Sequence, residues 1–141
     1  MKRTLWCAAL VTALVLGIAG CSGEKAGTAV ADAPPAPQMP DEWKVVEDWS
    51  VPAAQVTPIG KNLGVELTSL RNTVYDVDGK RVQLNVMVVP DQASVEKLVA
   101  ALKAMKSEES FFAKELTVYE FVGKDDAWTA IASGRQHLES I

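Results

Sequence analysis

The feature that most constrains the fold is an Asp-Gly pair, Asp78-Gly79, which lies between two runs of alternating apolar and polar residues. Asp-Gly in this setting predicts a β-hairpin. The loop has either two residues, Asp78 and Gly79, or three, beginning at Val77. The three-residue loop pairs Val74 with Val82 and separates apolar from polar side chains more cleanly across the two strands. We therefore expect that loop, with a bulge at Gly79.

The second hairpin strand and the helix after it follow from two periodicities. Alternation over residues 81–89 predicts a strand with these side chains facing the core: Val82, Leu84, Val86 and Val88. Pro90 ends the strand, and Asp91 is the expected N-cap of a helix that runs to about Lys106. Apolar residues at helical spacing predict the stripe by which this helix packs on the sheet: Val95, Leu98, Val99, Leu102 and Met105.

Further segments complete the predicted domain. Residues 116–122 are expected to form a third strand, and residues 125–138 a second helix in which Gly134 permits a close approach. Helical spacing places these residues together on the apolar side of that helix: Ala127, Trp128, Ile131 and Leu138. Residues 43–49 are expected as an additional strand. The order strand-strand-helix-strand-helix after that segment predicts an α+β fold, with a small antiparallel sheet of three to four strands and two helices packed on one face.

Composition divides the chain into three parts. Residues 1–20 have the features of a cleaved signal peptide, residues 21–40 form a linker rich in alanine and proline, and residues 41–141 have the size of a single globular domain. The linker carries few large apolar side chains and cannot bury enough surface to order itself, so we expect it to be disordered.

The signal peptide is predicted from the order of charge and apolar residues. Lys2 and Arg3 precede an uncharged, mostly apolar run over residues 5–19. This run is shorter than the roughly 20 residues that a membrane-spanning helix needs. We therefore expect the segment to be cleaved rather than to span the membrane.

The end of that run, Ile18-Ala19-Gly20-Cys21, resembles the lipobox of bacterial lipoproteins, although leucine is more common than isoleucine at the first position. The resemblance implies a diacylglyceryl group on the thiol of Cys21 and cleavage before it, so that Cys21 becomes the acylated N-terminus. In Gram-negative lipoproteins an aspartate after the cysteine favours the inner membrane. Ser22 therefore implies the periplasmic face of the outer membrane if the source is Gram-negative. The alternative is a free or disulfide-bonded cysteine after an ordinary signal.

Charge and cysteine content argue against several functions. The chain has 14 basic and 18 acidic residues, and loss of Lys2 and Arg3 with the signal leaves a net charge near minus six. Nucleic acid is therefore not an expected partner. Cys7 would leave with the signal and Cys21 would carry the lipid, so the mature domain is expected to have no disulfide, no cysteine nucleophile and no cysteine metal site. No cofactor or metal is predicted.

The sequence carries no recognisable catalytic constellation, and we predict no enzymatic activity. His137, the single histidine, is expected in solvent on the outer side of the second helix. The residues Asp76-x-Asp78-Gly79 begin like a calcium loop, but the later ligands of that loop are missing.

Three residues are candidates for a functional role. Glu120 takes a position at which strand alternation would place an apolar residue. It is therefore either an acid with a raised pKa or with a partner such as an arginine, or a residue of a partly exposed sheet face. Trp43 and Trp49 form either an interaction surface or part of the core.

These observations favour a membrane-anchored lipoprotein of the cell envelope whose noncatalytic domain binds an envelope protein. Two alternatives stay open. A structural subunit of an envelope assembly would be supported by an exposed apolar patch around Trp43 and Trp49. A small carboxylate-based hydrolase would need a second acid near Glu120.

Overall fold

The computed structural model describes residues 33–141. The predicted signal peptide, the lipobox and the lipidation site at Cys21 lie outside the described residues, as does the first part of the predicted linker, and these stay predictions. In the described part of the chain, no helix combines the length and the apolar character needed to cross a bilayer.

The described residues form one five-stranded sheet and three α-helices. In chain order the elements are β1 (Lys44–Ser50), α1 (Ala53–Leu63), β2 (Ser69–Val77), β3 (Lys80–Val88), α2 (Gln92–Met105), β4 (Phe111–Lys114), β5 (Thr117–Gly123) and α3 (Trp128–Ser140). The strand order is β1-β2-β3-β5-β4, and all neighbouring strands are antiparallel. The predicted α+β class is confirmed. The sheet is larger than the three to four strands expected, and the order of strands and helices differs.

Two elements that were not predicted, α1 and β4, account for most of this difference. Pro58 lies inside α1, and proline disfavours a helical interior because it lacks the N–H group and crowds the preceding residue. The helix ends at Gly64, which is left-handed (φ 70°). β4 has only four residues and is joined to β5 by a tight turn in which Glu115 has a φ of 54°. Such a short strand has too few alternating positions to give a sequence signal.

The hairpin between β2 and β3 has the two-residue loop, so the predicted three-residue loop with a bulge at Gly79 is wrong. Val77 pairs with Lys80. Asp78 (φ 53°) and Gly79 (φ 78°) are both left-handed, which is the backbone that a type I′ turn requires. The side chain of Asp76 supports the loop by accepting a hydrogen bond of 2.9 Å from the Gly79 N–H.

One physical reason for this register is that the polar side chain of Thr73 finds a partner inside the sheet. Thr73 lies opposite Leu84 in the observed pairing and is fully buried. Its hydroxyl donates a hydrogen bond of 2.9 Å to the Asp48 carboxylate on β1. Because a buried polar group is tolerated once it is paired, separation of polar from apolar residues was not a valid guide to the register.

Helices cover both faces of the sheet, so the expectation that two helices pack on one face is wrong. On the first face, which we call the α3 face, α3 closes a core that includes Trp43, Tyr75, Leu84, Phe121, Ile131 and Leu138. On the opposite face, the α1/α2 face, the core includes Val56, Leu70, Met87, Leu98, Leu102 and Val118. β3 serves both cores, because its adjacent residues Val86 and Met87 point to opposite faces and both are buried.

Trp43 is a core residue of the α3 face. It is 5% exposed, and its ring meets that of Tyr75 edge-on at a centroid distance of 5.4 Å. The expected close approach at Gly134 is confirmed, because a Cβ atom there would lie 2.5 Å from Cζ2 of Trp43. Trp49 is half-buried and packs against the core of the α1/α2 face. Neither tryptophan forms an exposed apolar patch of the kind that a structural subunit would present.

Residues 33–40, at the end of the predicted linker, lie against the domain, and we call them the N-terminal segment. The carbonyl oxygen of Gln38 is 2.9 Å from Nε2 of His137 on α3. Met39 packs against the core of the α3 face. His137 is therefore half-buried beneath this segment rather than free in solvent as expected.

Candidate functional site

The α1/α2 face is covered by helices over only part of its length. Three adjacent rows of side chains cross β2, β3 and β5. The row buried beneath the helices is Leu70, Met87 and Val118. The next row is Asn72, Asn85 and Glu120. The row closest to the hairpin loop is Val74, Gln83 and Val122, which are half-buried. We call the second and third rows together the open half of the face.

A polar network crosses this open half and includes Glu120. Although Glu120 is only 6% exposed, both of its carboxylate oxygens are engaged. Oε2 accepts a hydrogen bond of 2.8 Å from Nδ2 of Asn85, and Oε1 forms an ion pair with Nζ of Lys106, just after α2. Asn85 in turn accepts a hydrogen bond of 2.7 Å from Nε2 of Gln83.

The network shows which partners Glu120 has and how deeply it is buried. The residue is buried and paired, with a lysine in the place of the suggested arginine. The idea of a partly exposed face fits Gln83 and Val122 but not Glu120 itself. Both carboxylate oxygens therefore already have partners within the fold.

Two open grooves meet at Trp128, the first residue of α3. The larger, of about 550 Å³, is lined by residues that include Glu109, Ile131 and Arg135. The smaller, of about 210 Å³, lies beside the end of β5. Trp128 lines both grooves and is 38% exposed. A large aromatic side chain with this exposure is typical of an interaction surface rather than a core.

A separate charged cluster lies between β1, β2 and the N-terminal segment. Arg71 donates hydrogen bonds to both carboxylate oxygens of Asp48, one of them from Nε at 2.9 Å. Nη1 of Arg71 donates a third, of 3.1 Å, to the carbonyl oxygen of Pro34. The Arg71 guanidinium holds the pKa of Asp48 below its usual value, partial burial opposes this shift, and the Thr73 hydroxyl reinforces it.

From this cluster we predict that Asp48 contributes to the loss of folding stability at acidic pH. A carboxyl whose pKa is lowered by folding stabilises the folded state at pH values above its unfolded pKa, near 3.8. That stabilisation is lost as the pH falls through the lowered folded pKa. We expect Asp48→Asn to flatten the dependence of the unfolding free energy on pH between about pH 5 and pH 2, as measured by urea denaturation at a series of pH values.

The control for that experiment is Asp41→Asn, since Asp41 is exposed and forms no ion pair among the described residues. The pKa of Asp91 is also lowered, by the hydrogen bond from the Ser94 N–H at the start of α2. Some acid dependence should therefore persist in Asp48→Asn. A slope identical to that of the unmodified protein would contradict the role given to Asp48.

The structure brings together some candidate residues and separates others. Glu120 belongs to the open half, whereas Trp43 and Trp49 belong to the cores of opposite faces. Sequence reasoning did not single out Lys106 or Trp128. The apolar spacing of the second helix placed Trp128 with the core residues, and no sequence signal marks its exposure. Within residues 33–141, no group of three or more histidine, cysteine, aspartate or glutamate side chains is placed to hold a metal ion.

Comparison with known proteins gives no relative on which to base an assignment: the chain matches no protein-family model, no curated protein and no solved structure.

Proposed function

We propose that the chain is a lipid-anchored protein of a bacterial cell envelope whose domain binds a partner without catalysis. The anchor is the lipid on Cys21, to which the lipobox residues point. The observation that carries the binding role is the exposure of Trp128 at the junction of two grooves, the smaller of which is also lined by Val122 of the open half. Rigid aromatic side chains that stay partly in solvent are enriched where proteins bind one another.

The geometry around Glu120 favours binding over hydrolysis. Glu120 is the acid on which a carboxylate-based hydrolase would depend, and it is already bound by Lys106 and Asn85. The amide side chains of Asn72 and Gln83 lie next to Asn85 on the same open half and offer hydrogen-bonding groups to a ligand. Such groups orient a bound molecule and do not supply a nucleophile.

A second candidate is a structural role in an envelope assembly. One observation favours it, namely that Val45 and Val46, on the edge strand β1, are 58% and 41% exposed. Edge strands with apolar side chains can pair with another chain. The β1–β2 register shifts between Val45 and Glu47, and this irregularity works against regular pairing along the edge.

The anchor is tested by Cys21→Ser. Without the thiol no lipid can be attached, so we expect the protein either to remain unprocessed or to appear in the soluble fraction after cell lysis. Fractionation followed by mass spectrometry of the N-terminus measures both outcomes. Cys7→Ser is the matched control, because Cys7 lies inside the predicted signal and its thiol has no assigned role. Unchanged membrane association of a normally cleaved Cys21→Ser protein would contradict the anchor.

A further inference from the structure

We propose that the free end of β5, together with Trp128, binds an extended and positively charged segment of the partner. This inference deepens the proposed function and rests on it. It assigns the smaller groove to a peptide that adds a short strand to the sheet, while Trp128 receives one of its cationic side chains.

The free strand edge is the first observation. β3 pairs with β5 as far as Gly123, but β4 pairs with β5 only as far as Glu120, opposite Phe111. Before Phe111 the chain leaves the sheet in a 3₁₀ turn, Glu108–Ser110. Residues 121–123 therefore have a strand on one side only among the described residues. Among the described residues, no turn or loop forms a main-chain hydrogen bond with residues 121–123.

The smaller groove lies along this edge. Val122 and Gly123 line one side of it, Lys106 and Ser107 line it from the chain that follows α2, and Trp128 lines it at the start of α3. Unpaired main-chain groups at a strand edge are the groups to which an extended peptide adds by strand pairing. An edge of three residues suits a short extended segment and is too small to seat a helix.

Charge identifies the kind of segment. Three exposed carboxylates near Trp128 form no ion pair among the described residues: Glu109, Asp125 and Asp126. Two of the neighbouring cations are already paired, Lys106 with Glu120 and Arg135 with Glu139. Lys124, by contrast, forms no ion pair among the described residues. The unpaired charges around Trp128 are therefore negative in sum, which favours a positively charged partner. The face of an exposed tryptophan also attracts lysine and arginine side chains.

The test uses three synthetic peptides and the full-length protein in nonionic detergent. The first is an acetylated and amidated heptapeptide, Gly-Thr-Lys-Thr-Lys-Thr-Gly. The second has glutamate in place of lysine, and the third is the lysine peptide with alternate main-chain nitrogens methylated, which removes the donors needed for strand pairing. Binding of each labelled peptide is measured by fluorescence anisotropy at low and high salt.

We expect the lysine peptide to bind, the glutamate peptide to bind at least about tenfold more weakly, and the methylated peptide to lose most of its affinity. Trp128→Ala should weaken binding of the lysine peptide by about tenfold or more. Asp125→Asn combined with Asp126→Asn should weaken it less and reduce its salt dependence. Met105→Ala is the matched control, because Met105 is 61% exposed but does not line the groove.

Each contrary outcome overturns a defined part of the proposal. Absence of binding by the lysine peptide, or equal binding in Trp128→Ala, removes the site. Equal binding of the lysine and glutamate peptides removes the charge preference, and equal binding of the methylated peptide removes strand addition. The proposed function fails separately. If crosslinking in the envelope gives the same partner with Trp128→Ala as with the unmodified protein, the binding role stands and this site does not.

Discussion

Replacing Trp43 by alanine is expected to destabilise the domain by about 3–5 kcal/mol, the usual cost of truncating a buried tryptophan. Trp43 fills the space between the sheet and α3, touches Tyr75 and Phe121 edge-on, and takes the position that Gly134 leaves free. The loss would be a large part of the total stability of a domain of this size, about 5–15 kcal/mol. Urea denaturation followed by circular dichroism measures it.

Trp128→Ala is the matched control, because it removes the same side chain from the same domain at a position that is 38% exposed. We expect a smaller cost than for Trp43, about 1–2 kcal/mol, because more than a third of this side chain stays in solvent. Equal destabilisation by the two substitutions would contradict the assignment of Trp43 to the core and of Trp128 to the surface. A distinct fluorescence change in each variant would also separate the buried from the exposed indole.

Lys106→Met is expected to destabilise the domain by about 2–4 kcal/mol. The substitution keeps most of the apolar stem of the side chain but leaves the Glu120 carboxylate charged, buried and without its cation. The side chain of Lys106 is 30% exposed, and this places the expected cost below that of breaking a fully buried pair. Thermal and urea unfolding at neutral pH measure the change. Lys97→Met, at an exposed position of α2, is the control and should change stability by less than about 0.5 kcal/mol.

Replacing the other member of the pair, by Glu120→Gln, should destabilise the domain less, by about 1 kcal/mol. A glutamine oxygen still accepts the hydrogen bond from Asn85, and the freed Lys106 side chain can turn into solvent. The double variant should therefore be more stable than Lys106→Met alone, with a coupling of about 1 kcal/mol or more. Additive effects of the two substitutions would show that the pair does not interact in solution.

The parts of the fold that sequence predicted are those with strong local signals. β3 has a long alternating run, and α2 has both a periodic apolar stripe and a capping residue, Asp91, whose carboxylate accepts the Ser94 N–H at 2.7 Å. Each ends within about one residue of the predicted bound. α3 begins at Trp128 rather than at 125 because a 3₁₀ turn takes up residues 125–127.

The parts that sequence missed depend on contacts between distant segments. The hairpin register could not be derived from the hairpin alone, since Thr73 and Arg71 find their partner, Asp48, on β1. α1 has no clear sequence signal, because Pro58 lies inside it and only Gly64 marks its end. Tertiary packing decides such segments over local propensity.

The same limit applies to the candidate site. Glu120 was found because a charge interrupts an alternating strand, a signal that needs no knowledge of its neighbours. Its partner Lys106 follows a helix, and Lys106 looks like any surface lysine in the sequence. Trp128 was assigned to the apolar side of the second helix, and only the three-dimensional arrangement shows that its ring remains at the surface.

The contacts of the N-terminal segment have a consequence for where the domain can go. Because Pro34 is held by Arg71 and Gln38 by His137, the tether proposed to end at Cys21 comprises only the twelve residues up to Ala33. Even fully stretched, twelve residues span at most about 40 Å, compared with about 70 Å for a tether reaching to Asp41. With the proposed anchor, the domain would be confined to that shallow layer and would meet partners in the same membrane at a high effective concentration. Modest affinity for each partner would then be sufficient.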